Sequence, residues 1–151
     1  MVTVPKLAPP RRIEIQAYEV PEYLDPQGAR ITPLAGPYVI SQHACDLFGL
    51  DPHALAVYQQ PDNSNYQRIR RGDLCIIDLS DHGPQLQDAH KYLIQHRHGA
   101  RVRRVFCHQD GSVELSPDTL NPTFRAELVP AATVPKLRIV GRVALVISLT
   151  D

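Results

Sequence analysis

With 151 residues, 43% of them apolar and 21% charged, the chain has the size and composition of one soluble globular domain. Its 16 Lys and Arg balance 16 Asp and Glu, so it lacks the basic excess of a free-standing nucleic-acid binder. No apolar run is long enough to span a membrane, the N-terminus is too rich in proline and charge for a secretory leader, and fourteen prolines argue against long helices.

In chain order, residues 1–12 (MVTVPKLAPPRR) read as an arm or linker and residues 13–150 as one domain. The alternation in RIEIQAY predicts a first strand, and PEYLDPQGARITPLAGP has too many breakers for a regular element. Ser41 can cap a short helix carrying Ala44, Cys45, Leu47 and Phe48, with Gly49 to stop it. Strands are then expected at ALAVYQ (54–59) and DLCIIDL (73–79), the latter apolar enough to be central. KYLIQHR (91–97) and ARVRRVFCH (100–108) flank His98-Gly99 as a hairpin. Asp110-Gly111 turns the chain into SVELS (112–116). TLNPTFR is a polar loop, and KLRIVGRVALVISL (136–149) closes the chain, with Gly141 marking a bulge or a close backbone approach. The fold class is mostly β: a partly rolled antiparallel sheet with one short helix.

Cys45, Cys75 and Cys107 show no metal-ligand spacing and lie among apolar residues. They read as buried free thiols of a reducing compartment, the cytoplasm. His96 and His98 share a strand face and could hold a metal or serve a serine; an exposed hairpin tip explains them equally well. Neither HExxH nor CxxC occurs, and no metal or cofactor is expected.

The stretch PDNSNYQRIRRGDLCIID (61–78) poses the functional question. Ser64 follows three polar or turn-forming residues and is either a turn residue or a nucleophile. A nucleophilic serine needs a histidine or a neutral lysine as base. Of the lysines, Lys6 lies in the arm, Lys91 begins a strand and Lys136 precedes one, so none sits mid-strand where burial would lower its pKa. The clusters Arg68, Arg70, Arg71 and Arg97, Arg101, Arg103, Arg104 read as solvated faces. Arg103 and Arg104, being adjacent in a strand, cannot point the same way. One of them must face the interior and seek a carboxylate, with Asp62, Asp73 and Asp78 as possible partners.

The ordered motifs resemble the C-terminal domain of LexA and phage CI-type repressors, a family of self-cleaving serine peptidases. FGLDPHALAVYQQPDNS is similar to the helix and strand leading into that family's nucleophile turn, with Ser64 at the serine position and Gly72-Asp73 at the usual distance. LCIID, DAHKYLI, VRRV, LNPTF and IVGRVALVI follow in the family's order. The departures fall on the chemistry. Asp62-Asn63 replaces Gly-Asp, Asn65 replaces Met and Gln67 replaces Pro. Arg103 stands at the position of the general-base lysine, and a guanidinium does not give up its proton. Tyr23 and Leu24 fall where an Ala-Gly-like cleavage pair is usual.

The resemblance implies a non-cleaving dimerisation or regulatory domain of a phage-type transcriptional repressor, or a stand-alone partner of one. Expected partners are a second copy of the chain and possible repressor or antirepressor proteins. DNA would be met only through a helix-turn-helix domain, which residues 1–40 do not supply. The alternatives are an active autopeptidase using Ser64 and a ligand-binding module that reuses the former cleft. A signal-peptidase-like enzyme would need a membrane anchor and the same lysine.

Overall fold

The structure is a computed structural model that describes residues 11–17, 38–65, 67–81, 86–96 and 99–148. The described residues are mostly β, antiparallel, with one α-helix. Strands β1 (Arg12–Ile15) and β2 (Tyr38–Ser41) pair into a ribbon. Helix α1 (Gln42–Phe48) follows directly. A seven-stranded sheet holds β3 (Leu55–Gln59), β4 (Leu74–Asp78), β5 (Lys91–His96), β6 (Gly99–Cys107), β7 (Val113–Ser116), β8 (Glu127–Val129) and β9 (Arg138–Ile147). Their order across the sheet is β3-β4-β9-β5-β6-β7-β8.

Local chemistry sets the ends of these elements. Ser41 Oγ accepts from Ala44 N at 3.1 Å, and Gly49, at φ +65°, closes the helix in the left-handed region that glycine enters without steric cost. The closing strand lies inside the sheet, between β4 and β5. Gly141 marks a close approach, because a Cβ there would stand 2.4 Å from the Asp78 carbonyl oxygen. The β5–β9 register shifts beside it, between Leu93 and Ile94.

The period of two explains why β3 is apolar over Leu55–Tyr58 and β4 over Leu74–Ile77. Leu55, Val57, Leu74 and Ile76 join Ile15, Ile40, Cys45 and Leu50 in one cluster, so the β1–β2–α1 layer covers that face. Ala56, Tyr58, Cys75 and Ile77 point the other way and meet Ile69, Leu93, Ala100 and Val102. A third cluster, built on Tyr92, Ile94, Val105, Val113, Leu115 and Val129, serves the β5–β8 half.

One hydrogen bond shows that the sheet is rolled. Tyr58 of β3 donates its hydroxyl to the Ala100 carbonyl of β6 at 3.0 Å. Three strands separate β3 from β6, so in a flat sheet they would lie about 19 Å apart at the usual interstrand spacing. Curling brings the end of β3 against β6, and the segment carrying Ser64 fills that junction. Two expectations need correction. Cys107, the last residue of β6, is exposed, whereas Cys45 and Cys75 are buried as expected. Strands β2 and β8 were not expected: β2 is cut short by the helix cap at Ser41, and β8 spans only Glu127–Val129.

Candidate functional site

Ser64 is buried, 1% exposed, in the segment between β3 and β4. Asp62 builds its turn: the carboxylate Oδ1 accepts from Ser64 N at 2.9 Å and from Gln60 Nε2 at 3.2 Å. Asn63 Oδ1 accepts from Arg71 N at 2.9 Å, which ties the exposed side of the turn to the Gly72 corner. Gln60 is fixed through its backbone to Asp73 and Gly72 at the head of β4.

Arg103 enters this junction from β6. It is 7% exposed, and its Nη1 donates to Ser64 Oγ at 3.0 Å and to the Val102 carbonyl at 2.8 Å. Gln60 Nε2 and Asn65 Nδ2 reach the same hydroxyl at 3.3 and 3.5 Å. Three N–H groups therefore converge on Ser64 Oγ, and none of them can take its proton. An amide nitrogen is not basic, and a guanidinium stays protonated. Asp62, 7% exposed, lines the same closed space as Arg103, Ser64 and Gln60.

The expectation that one of Arg103 and Arg104 faces inward holds, with Arg103 on the serine. The reading of both as part of a solvated face does not. Arg104 forms a fork on Asp118, with Nε 3.2 Å from each carboxylate oxygen and Nη2 2.9 Å from Oδ2. Arg68, Arg70, Arg71 and Arg101 are exposed. Of the other acids considered for Arg103, Asp73 accepts from Arg70 N and Asp78 lies 3.7 Å from Arg142.

Asn65 is a structural part of the site that sequence reading treated only as a departure from a pattern. It is fully buried and joins three parts of the site. Its Nδ2 donates to the Val102 carbonyl at 2.9 Å, and its Oδ1 accepts from Asp118 N at 3.1 Å. The residue thus fixes the serine turn to β6 and to the loop that carries Asp118.

Lys91 corrects another expectation. Although it begins a strand, burial lowers its pKa; Asp118 opposes that shift and Arg104 and Arg68 add to it. Its Nζ lies 3.5 Å from Asp118 Oδ2. No interaction joins Lys91 to Ser64 among the described residues.

The chain also approaches the site from its N-terminal side. Ala17 bridges Val57 in parallel, and Gln16 O accepts from Val57 N at 3.0 Å. Residues 16–17 thus run alongside β3 in the direction of Gln60 and Ser64. The proposed cleavage positions Tyr23 and Leu24 lie outside the described residues, as do Arg97 and His98. Only the backbone of His96 is described.

No protein-family model matches the chain, and no curated protein matches it in sequence.

Proposed function

We propose that the chain is a peptidase-like domain of the LexA and phage-repressor type that no longer cleaves itself and serves as a protein-contact and regulatory domain of a transcriptional repressor system. The observation that carries this reading is the Arg103 guanidinium seated on Ser64 Oγ at 3.0 Å. A serine nucleophile must lose its proton as it attacks, and the neighbour best placed to receive it has no free lone pair. The burial of Ser64 and the filled space around it agree with a site converted to structure.

The order of motifs supports the family reading. The path of residues 16–17, parallel to β3 and toward Gln60, supports it as well, since a self-cleaving ancestor needs its N-terminal side to approach the serine. In this reading the domain pairs with a second copy or with another regulator, and DNA contact belongs to a separate helix-turn-helix domain.

The test is the Arg103→Lys variant beside the unaltered chain, each incubated at about pH 10 and followed by intact-mass measurement. The unaltered chain should stay whole. Cleavage confined to Arg103→Lys would identify the base as the missing part. Cleavage of the unaltered chain, abolished by Ser64→Ala, would make the protein an autopeptidase and end this reading. Sedimentation at micromolar protein should give twice the chain mass; a monomer would contradict self-association.

A further inference from the structure

The sheet splits between β5 and β9. Strand β9 pairs with β5 only as far as the Tyr92–Arg142 pair, whereas its pairing with β4 continues to Ile147. Among the described residues no strand pairs with the other edge of Val143–Ile147. The opposing chain at Ala89 and His90 turns instead toward β6, where Ala89 N donates to Val105 O and Val105 N to His90 O. A cavity of about 310 Å³ opens between them, lined by Val143–Val146 on one side and by His90, Lys91 and Arg104 on the other.

We propose that this split is a docking groove for an extended acidic segment of another protein, added as a strand to the free edge of β9, with a carboxylate on Lys91. The edge supplies unpaired backbone groups, which is what strand addition needs. Valine, alanine and leucine offer apolar contacts to alternate side chains of the incoming segment.

The charge of the far wall selects the occupant. Asp118 is engaged by the Arg104 fork through both oxygens, and the Lys91 ammonium lies 3.5 Å from the same carboxylate. Two cations thus share one acid, and Arg68 adds its field from nearby. A further carboxylate would complete the balance, and a basic segment would be repelled. The same charges disfavour a second copy of this chain, since symmetric pairing of two such edges would bring the two Lys91–Arg104 walls toward each other. This inference does not depend on the fate of Ser64, because the groove and the space around the serine share no lining residue.

The probe is the peptide Glu-Val-Glu-Val-Glu-Val-amide carrying fluorescein on its N-terminal nitrogen, with a lysine-for-glutamate counterpart, titrated into the full chain at low and high salt. Anisotropy should show saturable binding of the acidic peptide at least tenfold tighter than of the basic one, weakening as salt rises. Amide shifts should change at Val143–Val146 and at His90–Lys91. Lys91→Glu should weaken binding by at least tenfold and Lys91→Met by several-fold, with circular dichroism confirming that both remain folded. Equal affinity for the two peptides, absence of saturable binding, or shifts confined to another surface would overturn the proposal. So would a dimer in which amide protection shows Val143–Val146 covered by the second copy.

Discussion

Replacing Asn65 with alanine should separate a structural site from a catalytic one. The side chain makes two strong contacts, to Val102 O at 2.9 Å and from Asp118 N at 3.1 Å, and a longer one to Ser64 Oγ. Their loss is not equal. Val102 O keeps the Arg103 Nη1 donor at 2.8 Å, and Ser64 Oγ keeps Arg103 and Gln60, so no acceptor is stranded. The Asp118 N–H loses its partner, which costs about 1–3 kcal/mol where water does not replace it. The net loss of the remaining bond adds about 1 kcal/mol. The total is about 2–4 kcal/mol, or roughly 5–15 °C in Tm for a domain of this size. Urea and thermal unfolding measure it directly. Asn65→Met should lose a comparable amount despite filling the space, because the deficit is polar. A loss below about 0.5 kcal/mol in both variants would refute the assignment of Asn65 as the clamp between turn, β6 and the Asp118 loop.

Three further outcomes follow from named contacts. Gly141→Ala should destabilise by about 3 kcal/mol or more, since its Cβ would meet backbone of buried β4 at 2.4 Å; a Tm within about 2 °C of the parent would show that β9 is placed wrongly. Burial pushes the Cys75 thiol from 9.0 up to about 12. The unfolded chain therefore releases a proton that the folded chain keeps, and stability falls as pH rises from about 9 toward 12, at about 1.4 kcal/mol per unit. Cys75→Ala should remove about 2 kcal/mol of the loss between pH 8 and 10.5, read from urea midpoints; an unchanged alkaline slope would contradict it. Asp118→Asn should destabilise by leaving Lys91 and Arg104 without their shared carboxylate, and the loss should shrink in Lys91→Met/Asp118→Asn if the two act as a unit.

Much of this architecture is legible in the sequence where the signal is local. The Ser41 and Gly49 caps bound the helix, and the continuous apolar run Leu74–Ile77 signals a strand covered on both faces. Gly141 signals a close approach because β4 leaves no room for a side chain. The alternation through Val102-Arg103-Arg104-Val105 places one arginine inward. What escapes is non-local. Strand β8 is a three-residue strand with Glu127 and Leu128 exposed, too short to show a period. The burial of Lys91 depends on Asp118 and on the neighbouring wall of β9, both far along the chain. Asn65 looks like another polar turn residue until the roll of the sheet brings Val102 and Asp118 to it.

The central claim is that the cation fixed on Ser64 Oγ is a guanidinium, which cannot serve as the base a neutral lysine would be, and intact-mass measurement after long incubation at about pH 10 tests it most directly. Alkaline conditions would neutralise a lysine base and speed cleavage, but they leave a guanidinium charged. The account predicts a single species of full-chain mass, identical to that of Ser64→Ala treated in parallel. Two fragments from a bond between residues 20 and 30, absent in Ser64→Ala, would contradict it.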